Sequence, residues 1–315
     1  MKKLFLMLCF IFTLALSGCK SIVIQSTSPI FALDTVIEVI FYNEDNYMEH
    51  YKEIKKIYQS VDRVAGDFRS NPNKNSVYDL NQKRAIEADP LLADMVRSSV
   101  ELMEETKGYF NPFIGRLSHI WKDAINTKNL PTPELIKNEL EIMNNTSIII
   151  EGNSLTLIGD GNLDLGGMAK GYATEMVRDY LVENNVKGYL VNAGRSNIIC
   201  GEKAGNSFKI GITDPLTGLV VDYVEGVNLS IATSSHEMQQ AVIDDKLYHH
   251  LISPFIGYPV NNMDSISISS SSPLRGDVYS TALFLMDIDE IKKLDINVII
   301  LKGKRVEYNS INGKE

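Results

Sequence analysis

The sequence contains very few cysteines. Cys9, Cys19 and Cys200 are its three cysteines in 315 residues. The first two fall in an N-terminal segment for which we predict processing, so Cys200 has no partner for a disulfide bond within the mature chain. A small fold held together by disulfide bonds is therefore excluded.

Positive charge is also scarce. The chain has 31 Lys and Arg against 40 Asp and Glu, a formal net charge of −9, which becomes −11 if Lys2 and Lys3 leave with a signal peptide. Proteins that bind nucleic acid usually present a basic face. We therefore expect no nucleic-acid partner.

Long hydrophobic runs are missing except at the N-terminus, where Leu4–Leu16 is apolar and follows two lysines. This run is shorter than the roughly 20 residues of a transmembrane helix, which makes a plain anchor helix the weaker interpretation. The run ends in Leu-Ser-Gly-Cys19 and resembles a bacterial lipoprotein signal. We predict a signal peptide at residues 1–18, lipidation of Cys19, a tether at 19–30, and an extracytoplasmic protein anchored to the cell membrane by lipid.

The chain as a whole has the composition of a folded protein, with 44% hydrophobic residues. Periodicity predicts a strand at Thr35–Tyr42 and an amphipathic helix after Tyr47. Further helices are predicted from Pro90, Pro133 and Pro273, because proline is favoured in the first turn of a helix.

Strand patterns continue between and after these helices. Ser147–Ile158 predicts a hairpin, and the alternation at Ser265–Ser270 predicts a strand with one face in solvent. Strands and helices do not alternate regularly, and no linker is evident after Ser28. We therefore predict an α+β fold with mixed, largely antiparallel sheets and packed helices, in two interleaved lobes at residues 31–315.

The stretch DLGGMAKGYATE at 164–175 combines a carboxylate, three glycines and Lys170. One interpretation is a phosphate site, in which glycines allow close backbone approach and a helix N-terminus supplies free amides. The alternative is an ordinary helix with Asp164 as its N-cap. The P-loop and dinucleotide-binding signatures do not match this stretch.

Asp277 and Thr281 stand four residues apart on the last predicted long helix, so their oxygens lie on one face. A carboxylate with a hydroxyl suits a hard cation such as Mg²⁺. Taken alone, Asp277 can also be a solvated helix residue.

Two adjacent histidines occur in YHHLISP at 248–254. Neighbouring side chains of a strand point to opposite faces, so at most one of His249 and His250 should line a site. A neutral imidazole there can serve as a general base, although a structural histidine at a strand end explains the pattern equally well.

Seven segments in this order resemble the ApbE-like family of FAD:protein FMN transferases, from about Phe31 to Asp287. The segments are FALDT (31–35), GYFNPFIG (108–115), DLGGMAKGYA (164–173), VNAG (191–194), IATSS (231–235), HHLISP (249–254) and DVYSTALF (277–284). The resemblance implies a T-fold-like α+β unit. It also implies Mg²⁺-dependent cleavage of FAD, in which FMN passes to a threonine hydroxyl of a target flavoprotein and AMP is released.

The resemblance also implies roles for individual residues. His250 matches the base that deprotonates the acceptor threonine, while Gly167, Asp277 and Thr281 match the metal ligands. The positions that match FAD contacts are Leu33, Phe68, Tyr109, Phe110, Asn111, Asp164, Lys170 and Ile252.

Several positions depart from the family pattern. Asn111 stands where the family often has Asp, Ser253 replaces the Asp of the His-Ile-Ile-Asp-Pro segment, and Ser235 replaces a Gly. Phe68 stands where Tyr or Trp is common, which keeps an aromatic face for stacking and removes a polar group.

The partners implied by the resemblance are exported or membrane-embedded flavoproteins. They include subunits of Rnf-type and Na⁺-translocating NADH:quinone oxidoreductase complexes and other extracytoplasmic electron carriers, with an acceptor motif of Asp, a small residue, any residue, Ser or Ala, then Thr. Two other functions stay open: a Mg²⁺-dependent FAD pyrophosphatase that gives FMN and AMP, and a flavin-binding lipoprotein without catalysis.

Overall fold

The structure is a computed structural model that describes residues 22–67, 75–237 and 239–311. The predicted signal peptide, Cys19 and Phe68 lie outside the described residues. Within these ranges no helix is long and apolar enough to cross a membrane.

Helices and strands are interspersed along the described chain. The helices are α1 (Tyr47–Ala65), α2 (Val77–Lys83), α3 (Pro90–Glu105), α4 (Gly115–Thr127), α5 (Pro133–Asn144), α6 (Ala169–Glu183), α7 (Pro273–Phe284) and α8 (Ile288–Ile291). The strands are β1 (Ile24–Ser26), β2 (Ile30–Ala32), β3 (Thr35–Tyr42), β4 (Ala85–Glu87), β5 (Ser147–Glu151), β6 (Ser154–Ile158), β7 (Tyr189–Ala193), β8 (Asn197–Cys200), β9 (Phe208–Thr213), β10 (Val220–Gly226), β11 (Ser230–Ser235), β12 (Gln240–Ile243), β13 (Lys246–His249), β14 (Ser265–Ser269), β15 (Val298–Lys302) and β16 (Arg305–Asn309).

A nine-stranded sheet organises the fold, in the order β1-β3-β7-β8-β11-β14-β15-β16 with β2 also paired to β3. Its strand pairs are antiparallel. Helices α6 and α7 pack against one face. Strands β9 and β10 form a separate two-stranded ribbon whose Ile210 and Ile212 pack with Ile231 and Ile299 of the other face. The predicted α+β class with largely antiparallel sheets is confirmed.

The largest hydrophobic core lies between the sheet and the helices and contains the buried side chains of Phe41, Tyr58 and Trp121. The spacing at three and four residues in α1 places Tyr58 and its neighbours on the buried face, as predicted. The Tyr58 hydroxyl lies 2.9 Å from the Thr174 hydroxyl of α6, which links the two helices inside the core. Helix α6, which follows the glycine-rich stretch, is therefore held by contacts with both α1 and α7.

Helix starts follow the predicted proline positions. Helices α3, α5 and α7 begin at Pro90, Pro133 and Pro273, and the side chains of the preceding Asp89, Thr132 and Ser272 each accept a backbone hydrogen bond from the first turn. Helix α7 ends at Phe284.

Two expectations need correction. The ordered domain begins before Phe31, because Ile24–Ser26 of the predicted tether forms β1 and pairs with β3. Strand β14 does not have a solvated face: Ser265 and Ser267 are both 1% exposed. The Ser267 hydroxyl lies 2.8 Å from that of Thr233, and both residues line an internal cavity. A cavity lined by polar groups therefore produces the same sequence alternation as solvent.

Candidate active site

A single cavity of about 1120 Å³ collects nearly all of the predicted site residues. Those that line it are Leu33, Tyr109, Phe110, Asn111, Asp164, Gly167, Lys170, His250, Ile252, Asp277 and Thr281. They come from the β2–β3 turn, the loop before α4, the turn before α6, the first turn of α6, the segment after β13, and α7. Residues far apart in sequence thus share one site. Phe68, the remaining position, lies outside the described residues.

The glycine-rich stretch forms a turn before it becomes a helix. The Asp164 carboxylate accepts a hydrogen bond from the Gly166 amide (2.7 Å), and the Asp164 amide donates to the Pro112 carbonyl (2.7 Å). Helix α6 begins only at Ala169, so the interpretation of Asp164 as its N-cap is wrong. A side chain at Gly167 would put its Cβ 3.3 Å from the Phe110 ring. Glycine thus allows close packing here, since a Cβ would require the ring to move by a few tenths of an ångström.

The third glycine of the stretch, Gly171, lies where α6 contacts α7. A Cβ at this position would lie 2.4 Å from the Asp277 Cβ and 2.8 Å from the Pro273 carbonyl oxygen. Helices α6 and α7 therefore cross in direct contact. The Gly171 amide, one of the first-turn donors without a partner inside its own helix, donates to the Asp277 carboxylate at 2.8 Å.

Asp277 is buried, with 5% of its surface exposed. Its second carboxylate oxygen accepts a hydrogen bond from the Asn197 side-chain amide at 2.9 Å. Burial raises the pKa of Asp277, opposed by the nearby Lys170 and by the hydrogen bonds from Asn197 and Gly171. The fold thus holds a carboxylate in a dry position where a cation would stabilise its charge.

The residues around Asp277 fit a hard divalent cation. Thr281 follows one helical turn later and donates its hydroxyl to the Asp277 carbonyl at 3.2 Å, and both side chains reach the cavity beside Gly167. Carboxylate, hydroxyl and peptide oxygens are the donors that Mg²⁺ prefers, and the ion keeps positions for substrate oxygens. The described ranges contain no group of three or more His, Cys, Asp or Glu placed to hold a metal.

The two adjacent histidines point in different directions, as the strand pattern predicted. His249 is fully buried and packs against His236 and Phe284. His250 lines the cavity, and its buried Nδ1 atom has no hydrogen-bond partner in the described part of the chain. Burial lowers the pKa of His250 to about 4; a hydrogen bond to the Gln239 backbone opposes the shift, whereas Lys170 adds to it. His250 is therefore neutral near pH 7.

The turn between β2 and β3 presents Leu33 to the cavity. Leu33 and Asp34 both have positive φ angles (53° and 54°), as in the two-residue hairpin turns that match strand twist. The Leu33 amide donates to the Asp62 carboxylate of α1 at 2.7 Å. This hydrogen bond holds a backbone conformation that leucine seldom adopts.

The loop before α4 supplies an aromatic and amide wall. Tyr109 packs edge-on against Phe255, with ring centroids 4.8 Å apart, and Phe110 is buried. The Asn111 side-chain oxygen accepts a hydrogen bond from the Phe113 amide at 2.9 Å, which fixes its orientation. These contacts preorganise a surface suited to a planar ring system.

Sequence patterns missed a hydrogen-bonded histidine–aspartate pair on the cavity wall. His119 Nε2 lies 2.5 Å from an Asp67 carboxylate oxygen, and both residues line the cavity. The hydrogen bond to Asp67 raises the pKa of His119, and burial opposes that shift. Burial, followed by the charge of Asp67, raises the pKa of Asp164 in the same cavity. Asn197, which orients Asp277, was also missed, since no local motif marks it.

The fold and the cavity together define an α+β protein in which a glycine turn, a buried carboxylate, a hydroxyl and an imidazole meet. A model of the ApbE family matches residues 33–297, and the chain belongs to this family.

Relatives and a solved structure agree with this membership. The chain is 25% identical over 244 residues to an FAD:protein FMN transferase of Klebsiella pneumoniae, covering 75% of this chain and 76% of that protein. It is 24% identical over 241 residues to an FAD:protein FMN transferase of Vibrio cholerae, with 74% and 72% covered. The crystal structure of the ApbE protein from Thermotoga maritima superposes with a TM-score of 0.80 at 25% identity, covering 91% of this chain and 97% of that one.

Proposed function

We propose that this protein is an FAD:protein FMN transferase, which cleaves FAD and attaches FMN to a threonine hydroxyl of a target flavoprotein. The observation that carries the proposal is the convergence of Gly167, His250, Asp277 and Thr281 on one cavity. These residues lie on three separate elements, and the cavity also contains the positions that resemble FAD contacts. Relatives named FAD:protein FMN transferase support the same activity.

In this proposal the cavity binds FAD as a substrate. The wall formed by Leu33, Tyr109 and Asn111 contacts the flavin or adenine rings, together with Ile252, because flat and partly polar surfaces suit stacked heterocycles. Lys170 lies in the first turn of α6 and offsets the negative charge of the pyrophosphate. Phe68 remains a predicted contact.

We further propose a Mg²⁺ site formed by Gly167, Asp277 and Thr281. A divalent cation bound there would neutralise negative charge on the pyrophosphate, as in other phosphoryl transfers. The chain prepares the site by holding the Asp277 carboxylate between two hydrogen-bond donors, Gly171 and Asn197. Because these bonds fix the side chain, little reorganisation is needed when a cation binds.

His250 is the proposed general base. Its neutral imidazole accepts the proton of the threonine hydroxyl, whose oxygen attacks the phosphorus of the FMN half. The bond between that phosphorus and the bridging oxygen breaks, and AMP leaves with the bridging oxygen. The negative pyrophosphate beside His250 favours the imidazolium, so substrate binding raises the low pKa of the free protein toward a useful range.

The proposed location is the outer face of the cell membrane, with Cys19 carrying the lipid. The Leu-Ser-Gly-Cys sequence supports this proposal. Proposed acceptors are subunits of Rnf-type or Na⁺-translocating NADH:quinone oxidoreductase complexes and similar extracytoplasmic electron carriers. Mass spectrometry of the N-terminal peptide, purified from membranes, tests the anchor: an unmodified peptide that begins at Met1 contradicts it.

The activity is tested with protein that lacks residues 1–20, incubated with FAD, Mg²⁺ and a soluble acceptor domain. We expect the acceptor mass to increase by one FMN and AMP to appear in equal amount. Free FMN with an unmodified acceptor would indicate an FAD pyrophosphatase. Intact FAD that remains bound, with neither product, would indicate a flavin-binding lipoprotein.

A further inference from the structure

Strand β9 borders the cavity along its edge. Ile210, Gly211, Ile212 and Thr213 are consecutive residues, and each lines the cavity. Side chains of a strand alternate between two faces, so four residues in a row reach one cavity only if the edge of the strand faces it. The backbone of β9 is therefore part of the cavity wall.

This edge has unused hydrogen-bonding capacity. Strand β9 pairs with β10 on one side, from Phe208↔Gly226 to Thr213↔Val220, and no other strand of the described chain pairs with it. In an antiparallel pair every second residue directs its amide and carbonyl away from the partner strand. An edge of this kind is a template for one more strand.

The turn that follows β9 is apolar on its outer side and fixed in shape. Asp214 accepts hydrogen bonds from the Leu216 amide (2.9 Å) and the Thr217 hydroxyl (2.8 Å), and its own amide donates to the Leu219 carbonyl (2.9 Å). Leu219 and Val220 are each 66% exposed beside the cavity-lining Gly218. Exposed apolar side chains grouped at the rim of a site indicate contact with another protein.

The cavity connects the reacting groups with β9. Its volume of about 1120 Å³ is larger than the roughly 300–1,000 Å³ of pockets for drug-sized ligands, as expected of a site for a dinucleotide such as FAD. It extends from Asp277 and His250 to the free edge of β9, and the same space therefore joins the reacting groups to a surface for an extended chain.

We propose that the acceptor protein binds as an extended strand along the free edge of β9 and thereby presents its threonine to His250. The proposal rests on the FMN transferase function and specifies how the partner is recognised. Strand addition draws affinity from backbone hydrogen bonds, with selectivity from pockets for alternate side chains. The enzyme would then accept diverse flanking sequences provided that the segment is extended.

The first test changes the acceptor backbone. A short synthetic acceptor peptide with an Asp-small-any-Ser-Thr segment is made with single ester replacements, each of which removes one amide donor. We expect kcat/KM to fall about two- to tenfold at every second position and to stay near the parent value at the positions between. Strand addition is overturned if kcat/KM is equal for all ester positions. It is also overturned if the loss in kcat/KM depends only on which side chain the position carries.

The second test changes the rim. Leu219→Ser and Val220→Ser should raise KM for the acceptor about threefold or more, with FAD affinity unchanged. Val182→Ser is a matched control, because Val182 is 63% exposed and lies about 18 Å from Lys170 along α6. An unchanged acceptor KM in both rim variants, with folding confirmed by thermal melting, contradicts docking at this rim.

The two levels of the hypothesis fail in different ways. If the unmodified peptide and the intact acceptor domain gain no FMN from the wild-type protein, the proposed function is wrong. If the wild type transfers FMN and the ester series shows no period of two, the function stands and strand addition is wrong.

Discussion

Replacing Asp277 separates its structural role from its proposed metal-binding role. The carboxylate accepts hydrogen bonds from the Gly171 amide of α6 (2.8 Å) and from the Asn197 side chain of β8 (2.9 Å). Asp277→Ala leaves both buried donors without a partner. Asp277→Asn keeps one acceptor oxygen, and the Asn197 amide can rotate to offer its own oxygen to the new amide group.

The expected magnitudes differ between the two variants. An unsatisfied buried donor costs about 1–3 kcal/mol, so alanine should lower the free energy of unfolding by about 2–6 kcal/mol, and asparagine by no more than about 1.5 kcal/mol. Burial raises the pKa of Asp277, so removal of its charge also relieves a desolvation cost in both variants. This relief moves both values toward the lower ends of their ranges.

Urea denaturation without FAD or Mg²⁺ measures these differences, with the exposed Asp289→Ala as a control that should stay within about 0.5 kcal/mol of wild type. FMN transfer should be lost in both Asp277 variants, while Asp277→Asn retains FAD binding. Full transfer by Asp277→Asn would refute the metal assignment. Equal stability of the alanine and asparagine variants would refute the hydrogen-bond reasoning.

Three further predictions concern other cavity residues. His250→Gln should lower kcat for transfer roughly 10²- to 10⁴-fold with little change in FAD affinity. In the wild type, kcat/KM for FAD should persist below pH 6, because this ratio reports the free protein, in which the pKa of His250 is about 4. A kcat/KM that halves near pH 6.5 contradicts this. Gly171→Ala should lower the free energy of unfolding by about 1–3 kcal/mol and slow Mg²⁺-dependent FMN transfer, because the new methyl group displaces Asp277. An unchanged melting temperature and an unchanged transfer rate would show that α6 and α7 adjust freely. Asp67 raises the pKa of His119 above its usual 6.5, so the contribution of His119 to the free energy of unfolding is complete below pH 6.5 and is lost as the pH rises through its pKa in the folded protein. Asp67→Asn should flatten this pH dependence, measured by urea denaturation at several pH values. The same pH dependence in wild type and variant would argue against the pair.

Elements with strong local chemistry were predictable from the sequence. Helices α3, α5 and α7 start where a capping side chain precedes a proline, because these residues act through their own first turn. The clustering of Gly167, His250 and Asp277 came from family resemblance, since no local rule places residues 83 or 27 positions apart in one cavity.

Features that depend on tertiary surroundings were not predictable. The alternation in β14 could not distinguish solvent from a cavity, and Asp164 was open to interpretation as a helix cap because Asp bonds nearby amides in turns and in caps alike. The His119–Asp67 contact joins residues 52 apart without a motif. The free edge of β9 became evident only when its single partner strand was known.

A crystal structure with FAD and Mn²⁺, a Mg²⁺ substitute with a measurable anomalous signal, tests the central claim most directly. We expect an anomalous peak in contact with oxygens of Gly167, Asp277 and Thr281, the FAD pyrophosphate beside it, and His250 facing the phosphorus of the FMN half. A peak elsewhere, or FAD bound with its pyrophosphate outside this cavity, would contradict the proposed site and its chemistry.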